Sequence, residues 1–216
     1  MRNALLIACL LSVAGTAQPQ PKTMTKIEII PGSPGIVAGS FASKPKVFYR
    51  SGNRYCRIEE AADPDQGVHN LMIVNEPDYW TVNLLTKTAR HAVDPGPTLN
   101  CHLPIFAYGA PGSMDEETKE IRELEFGQEL NFFKGKGAVA AKGPVLQKQE
   151  TMVYRAKVGT AALALFIYGT PEKPLAVGLQ RGDKNELFWY SGYGQVEFDP
   201  KVFAKPEAVR IEDSTP

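Results

Sequence analysis

Short apolar runs at period two, broken about every 8 to 12 residues by turn chemistry, fill most of this 216-residue chain. Such alternation puts successive side chains on opposite faces, so the chain is committed to half-buried strands and to tight antiparallel connections. Lys26 to Ile30 alternates before the breaker Pro31-Gly32-Ser33-Pro34-Gly35. Lys46 to Arg50 and Arg54 to Glu60 flank Ser51-Gly52-Asn53, a hairpin loop with a glycine available for positive φ. His69 to Asn75, the turn Asn75-Glu76-Pro77-Asp78, Tyr79 to Leu85 and Ala89 to Asp94 continue the series as a meander. Cys56 and Ile58 share the core side of their strand; Trp80, Val82 and Leu84 share a side of theirs.

The middle of the chain changes character. Ser113 and Glu116 have capping-box spacing, and Asp115, Glu116 and Glu117 suit the positive end of a helix dipole. A helix over 113–124 is expected, with so thin an apolar stripe (Met114, Ile121, Leu124) that it must lie across a sheet. Strands return at Val145 to Val158, Ala161 to Tyr168, Pro174 to Gln180 and Glu186 to Tyr190, the last two joined by a hairpin at Gly182-Asp183-Lys184-Asn185. The tripeptide Arg181-Gly182-Asp183 is read as part of that turn, not as an adhesion motif. The expected fold class is mainly β, a single curved antiparallel sheet forming an open half β-barrel covered by one or more short helices.

Residues 1–17 have the layout of a cleavable signal peptide. Arg2 precedes an apolar run from Ala4 to Ala14, and Gly15-Thr16-Ala17 supplies small residues before a cut at Gln18. Cys9 lies inside that run, which suits a signal core and not an acylation site. The expected organisation is a signal peptide over 1–17, a flexible leader over 18–24 and one β domain over 25–216. No later apolar run is long enough to span a bilayer. Losing Arg2 leaves the 24 Lys+Arg one short of the 24 Asp+Glu, and so near-neutral a balance makes no case for nucleic acid. Of three cysteines, Cys9 leaves with the signal. The remaining pair, Cys56 and Cys101, lacks C-x-x-C spacing, and an oxidising compartment favours a structural disulfide between them over a redox or metal pair.

Catalytic signatures are missing. No G-x-S-x-G elbow occurs, and His69, His91 and His102 have no partner at recognisable spacing. His91, Asp94, Cys101 and His102 crowd together without a known zinc-site spacing, so no metal and no cofactor is expected. Gly135-Lys136-Gly137 lacks the spacing of a phosphate loop. The chain is read as non-enzymatic.

Several segments stand in a telling order: Phe48 to Glu59, the aromatic strand within Asn75 to Asn83, Leu175 to Leu179, Glu186 to Tyr193, and the ending Phe198-Asp199-Pro200-Lys201-Val202-Phe203-Ala204-Lys205-Pro206. Together they resemble the lipoprotein-carrier superfamily, the LolA/LolB-like proteins of the bacterial periplasm and outer membrane. The resemblance implies an open barrel whose apolar concave side, lidded by helices, carries acyl chains or lipoproteins. It also implies a periplasmic location, with association to the outer membrane as a variant. The chain departs from the pattern in having a Pro/Gly-rich stretch where an amphipathic N-terminal helix is expected, and in lacking an acylation cysteine.

The inner face is expected to carry Trp80, Val82, Leu84, Leu163, Leu165, Ile167, Leu187 and Trp189, which must either pack against the chain's own cover or leave a cleft. The first reading is a protein that binds or carries a lipophilic small molecule, acyl chain, lipid or lipoprotein there. The alternative is a structural or partner-binding protein with a filled barrel, engaging an envelope protein.

Overall fold

A computed structural model describes residues 21–32, 43–94, 101–106 and 115–212. The expected signal peptide, residues 18–20 of the leader, Ser113 and Met114 lie outside the described residues. Twelve strands form one open sheet: β1 (Thr23–Pro31), β2 (Lys46–Ser51), β3 (Tyr55–Glu60), β4 (Asn70–Asn75), β5 (Asp78–Asn83), β6 (Thr88–Val93), β7 (Ala141–Leu146), β8 (Gln149–Val158), β9 (Ala161–Tyr168), β10 (Lys173–Arg181), β11 (Lys184–Glu197) and β12 (Arg210–Ile211). Their order is β12-β6-β5-β4-β3-β2-β1-β11-β10-β9-β8-β7. Two meanders, β1–β6 and β7–β11, thus meet where β1 pairs antiparallel with β11, Ile27 opposite Tyr193. The only parallel pairing among the described strands is β12 on β6. The mainly β, open half-barrel class expected from the alternation is what the structure shows.

Both faces of the sheet bury apolar surface. Inside the curve, side chains of β1–β4 and β8–β11 converge on Leu103, Ile105, Phe106, Leu124, Phe126 and Phe133. Two short helices, α1 (Glu116–Ile121) and α2 (Glu129–Gly135), lie across β8 and β9 as part of that cover. Outside the curve, a 3-10 turn at Pro200–Phe203 seats Phe203 against Met24, Leu71, Ile73, Val82 and Ala89.

Three expectations need correcting. The single strand over 145–158 is a hairpin, β7 and β8, that turns at Gln147 and Lys148 with φ of 50° and 63°. Two left-handed residues make the tight turn that hairpins favour, but here it is built without Gly, Asn or Pro and so carries no compositional mark. The expected helix is shorter, Glu116–Ile121, and its cap is Asp115, whose side chain accepts from the Thr118 amide. Beyond it the chain turns back so that Glu125 bridges Pro104, and a second helix follows that the alternation gave no reason to expect. The last long strand runs on to Glu197, because its second half pairs with β1.

The Cys56–Cys101 disulfide forms as expected, joining residues 45 apart in sequence. It ties β3 to a strap, residues 101–106, whose Ile105 amide donates to Leu124 O and whose Leu103 carbonyl accepts from the Phe126 amide, each at 2.9 Å. Closing a loop of that size restricts the unfolded chain by about 4 kcal/mol. Urea unfolding of Cys56→Ser/Cys101→Ser should therefore show a loss of about 4 kcal/mol against the oxidised chain, with the denaturant midpoint of the oxidised chain falling toward the variant's when reductant is added.

Candidate functional site

Register, not alternation, decides which residues meet inside the curve. Leu163, Leu165 and Ile167 point inward and are fully buried in the inner core. Trp80, Val82 and Leu84 instead belong to the outer cluster. Trp80 stacks on His91 with ring centroids 3.8 Å apart, and Lys205 Nζ lies 5.5 Å from its ring. On β11 it is Phe188 and Tyr190 that join the inner core, so Leu187 and Trp189, which alternate with them, face outward. Gly32 lies against Trp189 so closely that a Cβ there would run into the indole. The eight residues expected on one face are divided between two. Alternation identifies side chains sharing a face within one strand, and an outer face covered by its own aromatic turn mimics an inner one.

Most of the concavity is filled by the chain itself. Phe126 packs on Phe48 at 4.4 Å between centroids, and Phe106 on Phe188 at 5.7 Å. Two buried polar groups sit within this plug. Arg50 donates to Glu125 Oε2 at 2.7 Å and to Phe126 O at 3.0 Å. Glu129, wholly buried at the start of α2, accepts from the Gly127 amide at 2.9 Å, Tyr190 OH at 2.7 Å and Tyr193 OH at 3.4 Å. Loss of water around Glu129 raises its carboxyl above the ordinary range, outweighing those hydrogen bonds. Burial, with the Glu129 carboxylate alongside, raises both tyrosine hydroxyls as well.

The plug stops over β3. From there to the β6 edge a cleft of about 380 Å3 opens on the inner face. One row of cross-strand partners runs along it: Phe48 opposite Ile58, Ile58 opposite Met72, Met72 opposite Thr81, Thr81 opposite Arg90. Phe48 and Ile58 are buried, Met72 is half-buried, and Thr81 and Arg90 are exposed. Beside the row, Glu60 accepts from Asn70 at 3.0 Å and faces Lys46 Nζ at 3.5 Å. Burial pushes the Lys46 amine down to about 8, against the pull of Glu60. Glu212, next to β12, stands at the rim.

The histidines are dispersed. His69 meets Glu59 at 3.1 Å, His91 meets Asp78 at 2.7 Å, and His102 meets Glu125 at 2.6 Å. Cys101 is in the disulfide, so the cluster of His91, Asp94, Cys101 and His102 does not assemble. Among the described residues no three His, Cys, Asp or Glu side chains group as metal ligands. No described helix is long and apolar enough to cross a membrane. Of the cleft residues, sequence reasoning placed Ile58 on the core side and named Val82, which borders the cleft although its side chain belongs to the outer cluster. Met72, Thr81 and Arg90 emerge only once the pairing across the Asn75–Asp78 turn is known.

No family model matches the chain. No curated protein matches it either. Among solved structures it is similar to an uncharacterised conserved protein from Thermus thermophilus, at 11% identity over 88% of this chain and 90% of that one, with a TM-score of 0.47. It is also similar to a LolA superfamily protein from Nitrosomonas europaea, at 10% identity over 87% of this chain and 91% of that one, with a TM-score of 0.30. The second carries the name of the superfamily that the strand motifs resemble; at these values neither bears on what the cleft holds.

Glu129 supplies a pH test of the plug. A carboxyl whose folded value is raised keeps its proton in the folded state where the unfolded chain has released it, so its contribution to stability is present at low pH and lost as pH rises above the ordinary carboxylate range of about 4. Glu129→Gln, which stays neutral, should lose less stability than the native chain between about pH 4 and pH 8. Denaturant titrations of both at the two pH values read this difference, and parallel behaviour would contradict a raised carboxyl.

Proposed function

We propose that the protein is an exported, non-enzymatic carrier that holds a lipophilic molecule, an acyl chain or a lipid, in the cleft over β3–β6. The observation that carries this reading is the point where the plug ends. Ile58 and Met72 floor a hollow of about 380 Å3, a size within the range of small-molecule sites, just where the aromatic cover stops. Covering that floor with a guest removes apolar area from water at about 25 cal/mol per Å2. The disulfide favours an oxidising compartment. A periplasmic site of action follows from the signal-peptide reading of residues 1–17 and from the resemblance in the strand motifs.

A second reading has its own support. Phe48, Phe106, Phe126 and Phe133 are each at most 1% exposed, so the deep part of the barrel is a packed core with no room for a guest. A filled barrel of this kind suits a structural protein that meets an envelope partner through its surface.

Native mass spectrometry after gentle purification separates the two. The carrier reading expects co-purified lipid on the native chain. Thr81 is exposed on a strand, where an aromatic side chain is well tolerated, so Thr81→Trp should fill the cleft and cut lipid occupancy at least about fivefold without changing the thermal midpoint. A native chain that stays empty when offered phospholipid vesicles would favour the filled scaffold.

A further inference from the structure

The row across the cleft is graded. From buried Phe48 and Ile58 through half-buried Met72 to exposed Thr81 and Arg90, burial falls and polarity rises across the row, ending in a guanidinium four strand spacings, about 19 Å along the sheet, from Phe48. A site for a wholly apolar guest has no use for that order. An amphiphile has: tail on Ile58 and Met72, head at Arg90.

The charges in the cleft settle the sign of the head. Glu60 is matched by Lys46 and by the Asn70 amide. Glu212 is faced by Arg210 at 3.4 Å. Asn83 accepts from the His69 amide and donates to Gly67 O, and Thr88 is bonded to Thr86. Arg90 lines the same hollow, and among the described residues it has no ion-pair or hydrogen-bond partner. A planar, permanently charged fork with all its donors uncommitted is a receptor for an oxyanion, and the Thr81 hydroxyl stands opposite it in the register to add one more donor. The volume lies near the lower end for ligand sites, room for one chain and not for several.

We infer that the guest is a single-chain amphiphile with an anionic head, its carboxylate or phosphate oxygens bound by Arg90 at the β6 end of the cleft. This rests on the carrier reading above and narrows it.

The test uses the full chain and three probes of equal acyl length: palmitate, palmitoyl lysophosphatidate and neutral monopalmitin, each competing with a fluorescent fatty acid. Both anions should bind about tenfold more tightly than monopalmitin, and the preference should shrink at high salt. Arg90→Gln, an exposed substitution expected to leave the thermal midpoint unchanged, should abolish the preference and leave monopalmitin affinity as it was. Arg90→Lys should restore only part of it, because an ammonium lacks the fork. Preference for one anion alone would support the assignment and identify carboxylate or phosphate as its source. Equal binding of all three, or a preference that survives Arg90→Gln, would overturn the head-group assignment while leaving the cleft a lipid site. If none of the three binds, the carrier reading falls and this inference with it.

Discussion

A guanidinium buried inside the curve of the sheet organises everything packed there. Arg50 is only 5% exposed, and a charge so placed must be answered by acceptors or destabilise the fold. It finds them on three separate segments. Gly52 O and Asn53 Oδ1 belong to its own hairpin, Cys101 O to the strap, and Glu125 Oε2 and Phe126 O to the turn between the helices. The same Glu125 also meets His102. With the disulfide one strand away, this network fastens to β2 and β3 the loop segments that carry Phe106 and Phe126 inward. Without it the inner cover would keep its disulfide to β3 but lose the directional contacts that fix it to β2.

That placement divides the concavity in two. On the side of β8–β11, β1 and β2, aromatic residues from the strap, the turn and α2 close the space, and even the polar Glu129 is drawn into hydrogen bonds with Tyr190 and Tyr193. On the side of β4–β6 the cover is missing among the described residues, and the same inner face that is dry at Phe48 is open at Thr81. The two readings of function thus describe different ends of one surface.

The strand pattern was legible because period two is a direct image of a sheet with two environments. Ala161 to Tyr168 is found at its full length, and Cys56 and Ile58 fall on the core side as their alternation requires. The hairpin at Gln147-Lys148 was hidden because its turn uses no residue that advertises positive φ. Helix α2 was hidden because its residues, Glu129 to Gly135, have too short an apolar stripe to stand out from a loop. The site was the least legible part. Trp80, Leu187 and Trp189 drew attention as large apolar side chains, yet the outer turn at Pro200–Phe203 and neighbours such as Gly32 give them partners on the wrong face. Arg90 is unremarkable as a letter in a strand and takes on meaning only through Thr81 and Met72 across three strands.

An unclosed sheet must also live with its two ends, and β7 shows how one of them is kept quiet. Its register slips between Lys142 and Val145, Pro144 offers no amide outward, and its carbonyl is taken by the Thr151 hydroxyl at 2.6 Å. A neighbouring molecule therefore meets a kinked, half-disarmed border where a flat ladder would have invited stacking. The sheet stays open at this end without presenting a regular ladder to a second chain.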